Sequence, residues 1–116
     1  MKIAVYGSLR KGEFNFEVFQ LCFSGKVEFL GTTTLHGYDL YSLGSFPAAV
    51  VGSNDIVVDL LDVDARVFSV IQEMEFSAGY YEDSVEIEGE NYGIFLYPDV
   101  PQIHYGLIES GDWSNE

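Results

Sequence analysis

With 116 residues, 47% of them hydrophobic and 16% aromatic, the chain reads as one folded domain spanning 1–116 and not as a disordered segment. Five Lys and Arg against 19 Asp and Glu give a net charge of −14, a sign repelled by phosphate backbones and acidic lipid surfaces, so nucleic-acid and membrane partners are disfavoured. The single cysteine, Cys22, excludes an internal disulfide framework. The opening residues are too short in apolar character for a signal peptide, and no run approaches the roughly 18 apolar residues of a membrane span. A cytoplasmic location is the default expectation.

Residues 2–7 predict a strand whose near-continuous apolar character implies burial on both faces. It runs into Gly7-Ser8-Leu9-Arg10-Lys11-Gly12, a glycine-bracketed loop of the kind that offers backbone N–H groups to an anionic or carbonyl ligand. Arg10 and Lys11 either make this loop less negative than its surroundings or serve turn solubility. A short helix over about 14–22 follows, ended by Ser24-Gly25. From Lys26 to Gly52 the texture is β, and Gly31, Gly37, Gly44, Pro47 and Gly52 at turn-like spacing predict a meander of two or three antiparallel strands. Ile56–Val63 is a further strand after a Ser53-Asn54-Asp55 turn.

Asp64 is an N-cap candidate for a helix over about 65–75, with Val67, Phe68, Ile71 and Met74 forming one apolar stripe. The chain leaves that helix through Ser77-Ala78-Gly79. Strands near 81–88 and 92–97 flank a turn at Glu88-Gly89-Glu90-Asn91, and the tail from Pro98 is irregular. Strands dominate, with two short helices at separated points, and several short strands with frequent glycines can close into a small barrel without exposed edges.

Few residues carry a chemical signal. His36 and His104 lack metal-ligand spacing, so no metal is expected. Ser8 has no Gly-x-Ser-x-Gly elbow around it, and Cys22 falls on an apolar helix face where cysteine behaves as a small hydrophobe. Gly12 is followed by Glu13 and Phe14, so the lysine and hydroxyl that a nucleotide-binding loop needs at this point are missing. Glu75 stands apart from the other acids. It falls at the negative end of the predicted helix between Met74 and Phe76, where both the dipole and apolar neighbours raise a carboxyl pKa. It is either a proton shuttle poised near neutrality or an exposed helix-terminal glutamate.

Val5-Tyr6-Gly7-Ser8-Leu9-Arg10-Lys11-Gly12, Asn15, Phe46-Pro47-Ala48, Ile71-Gln72-Glu73-Met74-Glu75, Tyr80-Tyr81-Glu82-Asp83-Ser84-Val85 and Ser110-Gly111-Asp112-Trp113 occur in this order along nearly the whole chain. Together they resemble the gamma-glutamylcyclotransferase-like superfamily, in particular its small single-domain branch that includes gamma-glutamylamine cyclotransferase. Three positions depart from that pattern: Gln72 where the family commonly has Asp, Phe76 where it has Gly, and Glu82 where it has Arg.

The resemblance implies an α+β gamma-glutamylcyclotransferase-like fold, a small mixed β-barrel with short flanking helices, and a cavity between the opening loop and a catalytic glutamate. The implied reaction, of acyltransferase or lyase type, cyclises a γ-glutamyl group of a small-molecule substrate to 5-oxoproline and releases an amine or amino acid. Glu75 is the implied general acid/base. Gly7, Ser8 and Leu9 are the implied backbone clamp, and Tyr6, Tyr80 and Tyr81 are substrate-binding candidates. No cofactor or metal is implied, and oligomeric state is left open. Two other readings compete with the enzyme: a non-catalytic protein binding a small carboxylate on the same fold, motivated by Gln72, Phe76 and Glu82, and an interaction module with an acidic, aromatic-rich surface.

Overall fold

The computed structural model describes residues 1–22 and 27–115; the expected helix exit at Ser24-Gly25, the cation Lys26 and the side chain of Cys22 lie outside the described residues. The first strand, β1 (Lys2–Val5), is central in a five-stranded mixed sheet of order β2-β3-β1-β5-β4. It runs antiparallel to β3 (Pro47–Val63) and parallel to β5 (Glu90–Leu96). The pleat sends Ile3 and Val5 into a core shared with Val67, Phe68 and Ile71 of helix α2 (Ala65–Ser77). It sends Ala4 and Tyr6 into a second core with Ile56, Val58, Ile94 and Leu96. Two cores on two faces explain why β1 shows no polar alternation.

Helix α1 (Phe14–Cys22) begins where the opening loop turns back: the N–H groups of Asn15 and Phe16 both donate to the Ser8 carbonyl, at 3.0 and 3.2 Å. The loop therefore satisfies donors that a helix start leaves orphaned. For α2, Asp64 caps as expected, its Oδ1 accepting from Val67 N at 2.8 Å. Val67, Phe68 and Ile71 are buried, and a fully buried Ile such as Ile71 contributes about 1.5–3 kcal/mol of transfer energy. The helix runs two residues beyond the expected end, to Ser77, and the Glu75 carbonyl then receives the N–H groups of Ala78 and Tyr80 at 3.1 Å each.

The β region departs most from expectation. Val27–Ser42 is one strand, β2, of 16 residues, paired along most of its length with the 17-residue β3. Gly31 and Gly37 sit at register shifts, so they are bulges that bend a long hairpin and not turns that end strands. Gly37, at φ +96°, adopts a conformation that side-chain-bearing residues rarely take. Ser53-Asn54-Asp55 lies inside β3: the Asp39 carboxylate accepts from Ser53 N, Asn54 N and Asn54 Nδ2 at 2.7–3.2 Å, holding this irregular stretch without reversing the chain.

The hairpin of β4 (Tyr81–Ile87) and β5 does turn where expected, with Glu88 and Gly89 both at positive φ as a two-residue turn of this hand requires. The bend brings the start of β3 to the end of β5, where Tyr97 N donates to Ala49 O at 2.8 Å. Even so, β2 and β4 remain the two edges among the described residues, and no ladder joins them. The expected closed barrel is instead an open five-stranded sheet. Exposed Glu82, Asp83 and Glu86 line its β4 edge, a charged edge of the kind that discourages further strand pairing. No helix among the described residues is long and apolar enough to cross a membrane.

Candidate active site

Tyr6, Gly7, Ser8, Leu9, Glu75 and Tyr80 line one cavity of about 330 Å³, a volume suited to a small molecule. These residues arrive from the end of β1, from the loop after it and from the end of α2. Tyr81, the remaining sequence candidate, does not line the cavity. It starts β4 one pleat position after Tyr80 and is exposed.

Glu75 is half-buried in the cavity wall, and no hydrogen bond or ion pair reaches its carboxyl among the described residues. Burial without a compensating partner penalises the anion, and it pushes the Glu75 carboxyl up to about 7. Across the cavity, Arg10 N donates to Gly7 O at 3.0 Å to close a turn, while the N–H groups of Gly7, Ser8 and Leu9 have no protein acceptor among the described residues. Three consecutive residues that line a cavity, with N–H groups that have no acceptor among the described residues, can hold a carboxylate or an oxyanion. The Ser8 hydroxyl accepts from Asn15 Nδ2 at 2.8 Å, so it is held by a neighbour that donates. Gly7 is required here by contact: a Cβ would stand 2.8 Å from Pro47 Cδ, inside van der Waals distance.

The two cavity tyrosines are committed elsewhere. Tyr6 Oη donates to Phe95 O at 2.5 Å and accepts from Ala49 N at 3.2 Å, stitching β1 to β5 and β3. Tyr80 Oη donates to Pro47 O at 2.6 Å. Burial pushes both phenols well above the ordinary tyrosine range, and for Tyr80 the nearby Glu75 charge adds to this. They are walls and struts. Tyr6→Phe is expected to leave Phe95 O and Ala49 N without their partner and to destabilise the fold by about 2–4 kcal/mol, read as a lower urea midpoint.

The loop cations also point away. Arg10 is buried between Asp112, at 2.5 Å, and Asp59, at 3.4 Å, and Lys11 Nζ lies 4.8 Å above the Phe29 ring. Neither lines the cavity. Of the positions that depart from the family pattern, Gln72 Nε2 donates to Glu82 Oε1 at 2.7 Å, joining α2 to β4 outside the cavity. A neutral donor and an anion thus pair with each other where the family pattern has an anion and a cation. Phe76 packs edge-on against Phe95, 6.0 Å between ring centroids. Among the described residues no group of three His, Cys, Asp or Glu is placed to hold a metal ion.

Phe14, Asn15, Phe46, Pro47 and Met74 complete much of the wall, and none was singled out from sequence as a site residue. Phe14 carried a usable signal: it is apolar, yet it is not one of the helix positions, Phe16 and Phe19, that go into the core.

The family model described as "Gamma-glutamyl cyclotransferase, AIG2-like" matches residues 3–115. The Escherichia coli K12 protein named "Gamma-glutamylcyclotransferase family protein YtfP" is 29% identical over 114 residues, covering 97% of this chain and 96% of its own. The crystal structure of the uncharacterized protein PH0828 from Pyrococcus horikoshii superimposes with a TM-score of 0.81 at 31% identity, covering 99% of this chain and 91% of that one. The solution structure of Escherichia coli ytfP gives 0.77 at 27%, covering 97% and 96%. The match runs from β1, through the cavity loop and Glu75, to the tail that seats Asp112 on Arg10: the chain belongs to the gamma-glutamyl cyclotransferase, AIG2-like family.

Proposed function

We propose that this protein cyclises the γ-glutamyl group of a small-molecule donor to 5-oxoproline and releases the amine from the far side of the amide bond, with Glu75 as general acid and base. One observation carries the reading: the partnerless, pKa-raised carboxyl of Glu75 shares its cavity with the unsatisfied N–H groups of Gly7, Ser8 and Leu9.

The reaction is an intramolecular acyl transfer and needs no protein nucleophile. Folding the donor so that its neutral α-amine meets its own γ-carbonyl supplies much of the acceleration. The nitrogen attacks the carbonyl carbon, closing a five-membered ring, and the carbonyl electrons move onto oxygen. The loop N–H groups hold that oxyanion or the α-carboxylate. Ionised Glu75 takes the proton from the attacking nitrogen and passes it to the leaving nitrogen as the oxyanion collapses and the old C–N bond breaks. The carboxylate is regenerated, and 5-oxoproline and the amine are the products.

The test is release of 5-oxoproline from a panel of γ-glutamyl amines and γ-glutamyl peptides. A donor that raises the melting temperature yet yields no 5-oxoproline would make this a binding protein. Because the ionised carboxylate is the proton acceptor, kcat/KM is expected to rise with pH through an ascending limb near 7. A limb near 4.5, the ordinary glutamate value, would show that the base is not a buried carboxyl.

A further inference from the structure

The cavity is chemically two-sided. Its polar groups include the loop N–H groups and Glu75, which can hold the glutamyl half of a donor, with Asn15 and Ser45 also in the wall. The solvent-facing part is aromatic: Phe14, at the first position of α1, is 76% exposed, and Phe46, in the turn between β2 and β3, is 40% exposed, yet both line the cavity. Two aromatic side chains left in water at one mouth gain little from folding, but they offer apolar surface to whatever emerges from the polar end.

No cation lines this cavity among the described residues. Lys2 pairs with Glu90, Arg10 with Asp112 and Asp59, Lys11 lies over Phe29, and Arg66 is on the exposed first turn of α2. A leaving group that is itself an amino acid brings a second carboxylate. Here that carboxylate would meet two phenyl rings on a protein of net charge −14, with no counter-charge among the described lining residues to offset its desolvation.

We infer that the donor is a γ-glutamyl amide of an uncharged, apolar amine, aromatic or branched alkyl, whose side group packs on Phe14 and Phe46; this rests on the cyclisation reading above. The rim discriminates in two ways: it rewards apolar surface on the amine, and it offers a carboxylate no cation among the described residues.

The experiment compares three donors. γ-Glutamyl-phenethylamide and γ-glutamyl-phenylalanine differ only in the carboxylate, and γ-glutamyl-methylamide lacks the apolar group. The phenethylamide is expected to give a kcat/KM at least tenfold above either of the others. Phe14→Ala and Phe46→Ala are each expected to lower the phenethylamide-to-methylamide ratio by roughly five- to twentyfold, the scale of a lost apolar contact in a pocket. Phe14→Lys, at a position exposed enough to accept it, is expected to shift the ratio of phenylalanine to phenethylamide donors at least tenfold toward phenylalanine. Turnover of γ-glutamyl-phenylalanine as fast as the phenethylamide, or unmoved ratios in the variants, overturns the inference while leaving the cyclisation intact. If none of the donors yields 5-oxoproline, the cyclisation reading fails. The inference is then decided by calorimetry: at least tenfold tighter binding of the phenethylamide than of γ-glutamyl-phenylalanine supports it, and equal binding overturns it.

Discussion

Glu75→Gln is expected to lower 5-oxoproline release by about 10²–10⁴-fold and, at the same time, to make the protein more stable above neutral pH. Both effects have one cause, a carboxyl held in a cavity wall without a partner. The folded pKa of about 7 lies above the ordinary 4.5, so between these values the native state binds the proton that the unfolded chain has already lost. The stability this provides is complete below about 4.5 and is lost as pH rises through about 7, at a cost of up to about 3 kcal/mol. Glutamine fills nearly the same space and never ionises. Urea titrations at pH 5 and pH 8 should therefore show the variant gaining on the wild type as pH rises. Equal pH dependence of the two proteins would mean that Glu75 is solvated, and an active variant would remove it from the mechanism.

The second large effect is expected at Arg10. Its guanidinium is about one-tenth exposed and binds Asp112 of the tail at 2.5 Å, beside Asp59 of β3. Asp59 is buried and also accepts from Lys11 N and Thr32 Oγ1, each at 2.8 Å. One charge cluster thus joins the cavity loop, both long strands and the tail. Arg10→Met would remove the cation and leave the Asp59 carboxylate buried with neutral donors only, a change that typically costs about 3–5 kcal/mol. The loss should persist at 1 M salt, because buried charges are poorly screened. A loss under about 1 kcal/mol, or one that salt abolishes, would return Arg10 to the role of a surface cation.

What the sequence made legible was local. Asp64 at a helix start, the stripe Val67, Phe68, Ile71 and Met74, and the Glu88-Gly89 turn all act through neighbours within a few residues, so their signals survive without a fold. Glu75 was legible for the same reason, since its place at a helix end between apolar residues is a short-range pattern. Tyr6 and Arg10 were half legible. Their places, at the end of the first strand and in the loop after it, were clear, but a phenol looks free to bind substrate and a guanidinium looks free to attract it until Phe95 and Asp112, far along the chain, claim them.

By itself, then, the sequence determined the first strand and its burial on both faces, the two helices to within two residues and the last hairpin, and it marked the cavity loop and Glu75 as the chemically distinctive stretches. The tertiary structure alone decided that Gly31 and Gly37 are bulges and not turns, because a glycine between β-forming residues suits either and only the register with β3 chooses. It decided that the sheet stays open, since closure depends on how far a bent hairpin carries one edge toward the other. It also decided which polar groups are spent on the fold and which are left over. Tyr6, Tyr80 and Arg10 are spent; Glu75, Gly7, Ser8 and Leu9 line one cavity, and long-range pairing satisfies their neighbours while the Glu75 carboxyl and the three N–H groups have no partner among the described residues.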